Sequence, residues 1–253
     1  MTDVLVGVQH RDGVRTLTLD SPANRNALSP RLLAQLEEAL RDATSDAEVR
    51  AVVLTGAGTV FCSGADLSER GAAAPSRMPA ILTAMVESAV PVIVRVNGHA
   101  RAGGLGLIVA ADMAVALEAS TFAFTEVRVG VAPAMILVPA LRVVDRRFLA
   151  RAVLTGARFS ASEAAAVGLV SAVAEDEAAL DAWVADQTTA ILQAAPGAVK
   201  ATKELLRSLL ALEWTDGLAV AAATSVELFA GVEAAEGMDA FLQKRRPSWD
   251  TSA

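Results

Sequence analysis

The sequence predicts an α/β fold, because short apolar stretches typical of strands alternate with segments of helical periodicity. Two strands are predicted at 3–8 and 14–19, and Asp12-Gly13 between them is a typical turn pair. Later strands are predicted at 51–54, 90–96 and 112–117, and the first two are followed by glycine-rich loops. Helices are predicted at 80–89 and 103–111.

Local signals at helix ends support this reading. Ser29 followed by Pro30 is typical of a helix start, since proline is favoured at the first helical position. Leucines then recur at helical spacing from Leu32 to Leu40. Ser160 and Glu163 have the spacing of a capping box, in which each side chain satisfies the backbone N–H of the other.

From residue 177 onward the pattern is nearly all helical, and Pro196-Gly197 is its main break. We therefore divide the chain into a core at 1–195 and a helical region at 196–253. The second region carries many apolar residues, including Trp214, Phe229 and Phe241. Exposed apolar surface of that kind usually marks an interface, so a homo-oligomer is expected.

Composition narrows the function classes. The 253 residues are 53% hydrophobic, enough for a substantial core, and no apolar run approaches the length needed to cross a bilayer. A net charge of −7 without a basic stripe argues against nucleic acid as a partner. The single cysteine, Cys62, and the absence of a recognisable signal sequence favour the cytoplasm. Two histidines cannot supply a His-rich metal site.

Two loops rich in small residues follow predicted strands. The first, Phe61 to Leu67, contains Gly64-Ala65, and the second, Ala102 to Leu105, contains paired glycines. Small residues leave backbone N–H groups accessible, and two N–H groups aimed at one point form an oxyanion hole. Taken singly, the first motif also fits an ordinary tight turn and the second fits close helix packing. The segment 68–79 lacks periodicity and fits either a lid or a plain surface loop.

Glu126 is the candidate acid–base group. It is flanked by four apolar residues, Phe124, Val127, Val129 and Val131. An apolar surrounding would raise the pKa of the carboxyl so that it can exchange protons near neutral pH. The alternatives are a salt bridge to Arg128 or an exposed position on an alternating strand.

The ordered set of motifs resembles the crotonase superfamily of enoyl-CoA hydratases and isomerases, and the similarity covers almost the whole chain. The matching segments are Asn24 to Leu28, Phe61 to Leu67, Asn97 to Asp112, Thr125 to Ala134, Leu154 to Val170 and Lys244 to Trp249. The resemblance implies a ββα spiral core with a C-terminal helical trimerisation region, usually assembled as a trimer or a hexamer. It implies chemistry on a 2-enoyl-CoA, with coenzyme A as part of the substrate and without a metal or redox cofactor.

The resemblance also assigns roles to residues of this chain. The thioester oxygen would lie between the N–H groups of Ala65 and Gly103, and Glu126 would give or take a proton at carbon. The family's contacts to coenzyme A fall here on Arg25, Ala27, Leu28, Ala65, Asp66, Leu67 and Ser68. Phe241 and Lys244 of a neighbouring subunit are further candidates for the nucleotide site.

One departure from the family concerns Gly106, which stands where hydratases commonly carry a second glutamate. We expect its missing side chain to leave space opposite Glu126. A single carboxylate suffices for an isomerase, so the alternatives to a hydratase are an enoyl-CoA isomerase and a non-catalytic acyl-CoA binding protein. A nicotinamide site lacks the third glycine of its fingerprint, since Val109 stands there, and a serine hydrolase lacks its Gly-x-Ser-x-Gly motif.

Overall fold

The computed structural model describes residues 4–66 and 77–250, so most of the predicted lid or surface loop at 68–79 lies outside the described residues. The described strands are β1 (Val6–Arg11), β2 (Val14–Leu19), β3 (Ala51–Gly56), β4 (Val60–Cys62), β5 (Val92–Val96), β6 (His99–Arg101), β7 (Met113–Leu117), β8 (Thr121–Ala123), β9 (Phe159–Ser160) and β10 (Ala172–Ala174). The described α-helices are α1 (Pro30–Ser45), α2 (Met78–Val86), α3 (Gly103–Val109), α4 (Ala134–Val143), α5 (Arg146–Thr155), α6 (Ala161–Ala166), α7 (Glu177–Gln193), α8 (Pro196–Ser208), α9 (Trp214–Phe229) and α10 (Val232–Gln243).

The strands form two sheets. The larger has the order β1-β2-β3-β5-β7-β10, and the smaller has the order β4-β6-β8-β9. β1 pairs antiparallel with β2, and β9 pairs antiparallel with β8, whereas the other pairs are parallel. Because the chain passes from β3 to β4, from β5 to β6 and from β7 to β8 through short loops, each turn of the fold adds one strand to each sheet.

In the described chain α3 follows β6 directly, and α4 follows β8 after the 3₁₀ turn Glu126–Val129. The repeated strand–strand–helix unit is the predicted ββα spiral, and the α/β fold class is confirmed. The first strand lies later than predicted, because its pairing with β2 extends to Arg11, which lies opposite Val14. Asp12 and Gly13 between them both have positive φ values, 48° and 79°, as a tight hairpin turn requires.

The predicted helix ends are confirmed by their hydrogen bonds. The Ser29 hydroxyl accepts the N–H of Leu32 at 3.2 Å, and Pro30 is the first residue of α1. At α6 the Ser160 hydroxyl accepts the N–H of Glu163, whose carboxylate accepts the N–H of Ser160. These contacts satisfy N–H groups that a helix start otherwise leaves without acceptors.

The C-terminal helices expose much apolar surface in the single chain. α9 contains no buried residue, and Trp214, Phe229 and Phe241 are 80%, 71% and 83% exposed. Among the described residues no single helix is both long and apolar enough to cross a bilayer, although α9 and α10, bent by 65°, meet the length and composition criteria as a pair.

Candidate active site

Three loops of the spiral meet at one cavity. β4, β6 and β8 are parallel neighbours in the smaller sheet, so their carboxyl ends lie along the same edge. Ala65, Gly103 and Glu126 follow the last residues of these strands by two or three positions. All three residues line a cavity of about 390 Å³, a size within the usual range of small-molecule sites.

Backbone hydrogen bonds join the Ala65 loop to the segment before α1. The N–H of Leu28 donates to the Gly64 carbonyl at 2.8 Å, and the Leu28 carbonyl accepts the N–H of Asp66 at 3.5 Å. The N–H of Ala65, between these two, finds no acceptor among the described residues. Gly64 has φ +90°, and a Cβ there would lie 2.8 Å from the Cβ of Ala102, so glycine is required on both grounds.

Gly103 opens α3 from a backbone held in an unusual conformation. Ala102, immediately before it, has φ 47° and ψ −121°, a region that L-residues rarely occupy. Its N–H donates to the Ala123 carbonyl at 3.0 Å, and its own carbonyl accepts the N–H of Leu105 at 2.9 Å. These two bonds fix the peptide that carries the Gly103 N–H, which has no intrahelical acceptor because it begins the helix.

Close packing of α3 on β4 requires the second glycine. A Cβ on Gly104 would lie 2.8 Å from the Cβ of Cys62, which is completely buried. Burial raises the pKa of the Cys62 thiol to about 12, and a hydrogen bond from the Gly64 N–H opposes this rise only in part. Cys62 is therefore a neutral packing residue beneath the site.

Glu126 begins a 3₁₀ turn, Glu126–Val129, so the alternative of an exposed position on an alternating strand is wrong. The side chain is half-buried, and its Oε2 atom is inaccessible to water and has no hydrogen-bond partner among the described residues. Burial raises the pKa of the carboxyl, and a hydrogen bond from its own backbone N–H opposes the rise. Arg128 does not form the alternative salt bridge, because its Nε donates to the Thr155 carbonyl.

The source of this desolvation is only partly the predicted one. Val127 and Val129 are 37% and 56% exposed, whereas Phe124 is completely buried. Val131 lines the cavity together with Met78 of α2 and Ile136 of α4. The apolar surroundings of Glu126 therefore combine two of its predicted chain neighbours with residues from two helices.

The space expected beside Gly106 is absent. A Cβ built on Gly106 would lie 2.4 Å from Cγ2 and 3.1 Å from Cβ of Ile136, and 3.4 Å from Cε of Met78. Both Gly106 and Ile136 are buried. The expectation was wrong because α4 packs on α3 and places a branched side chain where the predicted gap would lie. The carboxylates lining the cavity are, within the described ranges, Glu126 and Asp66.

The residues implied to contact coenzyme A lie together in part. Leu28, Ala65 and Asp66 line the cavity. Ala27 is buried next to Leu28, whereas Arg25 is exposed with a left-handed backbone. The remaining candidates are Leu67 and Ser68, which lie outside the described residues, and Phe241 and Lys244, which are exposed at the end of α10.

Asn26 supports the site but was missed as a separate prediction. It is completely buried, and its Nδ2 donates to the carbonyls of Val60 and Phe61 at 2.8 and 3.2 Å. Its Oδ1 accepts the N–H of Ser21 at 2.9 Å. Asn97 acts similarly, accepting the N–H of Gly56 and donating to the carbonyl of residue 58. An asparagine just before a helix cap was the available signal, since asparagine tolerates the left-handed backbone found at position 26.

Comparison with known proteins places this geometry in a family. The family model described as "Enoyl-CoA hydratase/isomerase" matches residues 9–252. A putative enoyl-CoA hydratase of Thermus thermophilus is 36% identical over 244 residues, which cover 92% of this chain and 96% of that protein. The 2,3-dehydroadipyl-CoA hydratase of Escherichia coli is 32% identical over 255 residues, covering 98% and 99%.

A solved structure supports the same assignment. The crystal structure of an enoyl-CoA hydratase from Mycobacterium smegmatis superposes with a TM-score of 0.91 at 35% identity, covering 98% of this chain and all of that one. The matches span both the spiral core and the C-terminal helices. The chain therefore belongs to the enoyl-CoA hydratase/isomerase family of the crotonase superfamily, and it is an enzyme of that family.

Proposed function

We propose that this enzyme hydrates a 2-enoyl-CoA thioester, using the N–H groups of Ala65 and Gly103 as an oxyanion hole and Glu126 as its acid–base group. The observation that carries the proposal is that these three residues, from three separate loops, line one cavity. The names of the relatives support hydration over other reactions of the superfamily.

In this mechanism the thioester oxygen accepts hydrogen bonds from both N–H groups, which stabilise the negative charge that develops as the enolate forms. Glu126 takes a proton from water while the water oxygen bonds to the β-carbon. The same carboxyl then returns the proton to the α-carbon, so one water is added across the double bond. A carboxyl whose pKa is raised by burial is suited to both steps. No metal or redox cofactor takes part in this scheme.

The test is the Glu126→Gln variant, with Glu118→Gln as control because Glu118 is exposed outside the cavity. Glu126→Gln should lower kcat by about 10²-fold or more, since general acid–base catalysis contributes at least that much, while saturated acyl-CoA still binds. The Glu118 variant should keep its activity. Full turnover by Glu126→Gln would refute the assigned role.

Isomerisation is the second candidate, favoured by the packing of Ile136 against Gly106, which leaves no room for a second carboxylate on α3. Both reactions remove the conjugated-thioester absorbance, so the molecular mass of the product must be measured. Hydration adds the mass of one water, whereas double-bond migration leaves the mass unchanged. A product of unchanged mass as the main species would replace hydration by isomerisation.

We also propose a homotrimer or hexamer assembled through the region after residue 196, because Trp214, Phe229 and Phe241 are exposed there. Phe241 and Lys244 of one subunit would then lie near a neighbour's nucleotide site, with Arg25 and the Ala65 loop supplying the rest. Light scattering that gives the 26.1 kDa mass of one chain at micromolar concentration would contradict this. A cytoplasmic location and a role in fatty acid metabolism remain predictions, which cell fractionation and substrate profiling test.

A further inference from the structure

A groove separate from the cavity around Glu126 lies along α2 and α4. Its volume is about 350 Å³. Met135 lines both spaces, and on α2 the cavity residue Met78 is followed directly by the groove residue Pro79. The two spaces therefore adjoin at Met135 and at the Met78–Pro79 step of α2, so a chain that left the cavity beside Met135 would enter the groove.

The near part of the groove is apolar. Its lining includes Leu82, Val86, Val138 and Pro139. Met135 and Val138 are 41% and 64% exposed in the single chain, so apolar surface is left uncovered along the groove. A hydrocarbon chain would bury this surface at about 25 cal/mol for each Å² removed from water.

The far end of the groove carries an arginine. Met135, Val138 and Arg142 follow at spacings of three and four residues and so lie on one face of α4, over roughly 10 Å. Arg142 is exposed, and its guanidinium has no hydrogen bond or ion pair with any described residue. An apolar channel that ends in an unpaired cation suits a hydrocarbon chain that ends in an anion.

The other charged groups at this end share one cation. Arg207 pairs with Glu87 at 3.6 Å and with Glu204 on its own helix, so one guanidinium faces two carboxylates. Glu87 also lines the groove, and Arg207 therefore has no positive charge to spare for a ligand. Arg142 is the groove's cation without such a partner among the described residues, and a guanidinium binds a carboxylate through two parallel hydrogen bonds.

We propose that this groove binds the distal part of the acyl group and that Arg142 binds a terminal carboxylate, so that the substrate is a coenzyme A thioester of a dicarboxylic acid. The inference rests on the proposed function, whose substrate class it narrows. An acyl chain ending in a methyl group would use the same apolar walls but would leave Arg142 without a partner.

Binding of unreactive thioesters tests the subsite without requiring turnover. Adipyl-, suberyl- and sebacyl-CoA are compared by calorimetry with hexanoyl-, octanoyl- and decanoyl-CoA, each pair having the same chain length. At the length that reaches Arg142 the wild type should prefer the dicarboxylic thioester by about tenfold or more, as expected for hydrogen bonds to a charged group. Equal affinities at every length would overturn the proposal.

The variant Arg142→Gln should abolish this preference. Arg146→Gln is the matched control, because Arg146 is also exposed, lies four residues further along the chain and does not line the groove. It should keep the preference. If Arg142→Gln weakened both members of a pair equally, Arg142 would be binding the coenzyme phosphates and the proposal would be wrong.

The path of the chain has its own test. Val138→Trp should narrow the groove and weaken binding of suberyl- and octanoyl-CoA by severalfold while leaving acetyl-CoA binding in place; unchanged binding of both long thioesters would place the acyl chain elsewhere. Hydration is assayed separately with the corresponding 2-enoyl-CoAs. An Arg142-dependent binding preference without turnover would refute the proposed hydratase but keep the subsite, whereas turnover without any preference would refute the subsite alone.

Discussion

Replacing Gly106 by alanine adds one methyl group at the packed contact between α3 and α4. In an open helix this change is favourable by about 0.5–1 kcal/mol, because glycine loses more backbone entropy on folding. Here the added Cβ would lie 2.4 Å from Cγ2 of Ile136. Ile136 is 3% exposed, and its branched side chain is stiff at χ1. Rotating its Cγ2 away from the added methyl group would therefore cost free energy.

The expected result is a net destabilisation of about 1–2 kcal/mol. Overpacking of a well-filled core costs about 1–3 kcal/mol, which exceeds the gain in helix propensity. Met78, whose Cε lies 3.4 Å from the added atom, limits movement in another direction. The measurement is urea unfolding at one fixed protein concentration, because an oligomer's apparent stability depends on concentration.

A double-mutant cycle identifies the contact. Ile136→Ala removes Cγ2, so Gly106→Ala should cost about 1–2 kcal/mol less in that background than in the wild type. Ile136→Val keeps a methyl group at the same branch and serves as the control, in which the two effects should nearly add. A Gly106→Ala protein as stable as the wild type, or equal coupling in both backgrounds, would refute the packing argument.

The same contact bears on chemistry. Gly106→Glu would place a longer side chain, and a carboxylate, into the position that Ile136 fills. The variant should therefore unfold more readily and should not gain hydration activity. Faster hydration by a folded Gly106→Glu enzyme would show that α4 yields and that the position can hold a second carboxylate.

Three further predictions follow from contacts around the site. Because burial raises the pKa of Glu126, the folded state favours the neutral carboxyl and loses stability as the pH rises through that pKa. Glu126→Gln should therefore gain stability relative to wild type as the pH is raised from 4 to 7. A difference in the free energy of unfolding between the two proteins that stays constant over this range, measured with urea, would contradict this. Buried Lys203 donates to two carbonyls and to Asp112 at 2.7 Å, so Lys203→Met should cost about 3 kcal/mol, whereas Lys200→Met on the exposed face should change stability by less than about 0.5 kcal/mol. Asn26→Ala should cost about 2 kcal/mol because it leaves buried carbonyls without donors, and a thermal midpoint equal to wild type would count against its role.

What the sequence could predict depended on how local the cause was. The Ser29 cap, the Asp12-Gly13 turn and the Ser160–Glu163 box each arise within a few residues, and each was confirmed. The 3₁₀ turn at Glu126 was not predicted. It forms because β8 ends at Ala123, after only three residues, and the chain then turns towards α4. Nothing near position 126 in the sequence reveals that break.

Packing between distant segments accounts for the remaining errors. The filling of the space at Gly106 depends on Ile136, thirty residues further on and on another helix. The burial around Glu126 likewise depends on α4 and on Met78 as well as on its own neighbours. The periodicity of either segment does not reveal such a contact between helices, because both segments are simply apolar.

The site itself follows from the repeat of the fold. In each turn of the spiral a short strand of the smaller sheet ends, and the site residue lies two or three positions after that end. Because β4, β6 and β8 are parallel and adjacent, the three site residues lie at one edge of the sheet, although they are separated by about forty and twenty positions in the chain. Two of the three turns present a backbone N–H from a small residue, and the third presents a carboxylate. Backbone donors cannot be removed by side-chain substitution, so in the proposed mechanism the sheet fixes the oxyanion hole. The surroundings of the Glu126 carboxylate depend on the helices as well, because Met78 of α2 and Ile136 of α4 line the same cavity. Ile136 also fills the space at Gly106 that a second carboxylate on α3 would need.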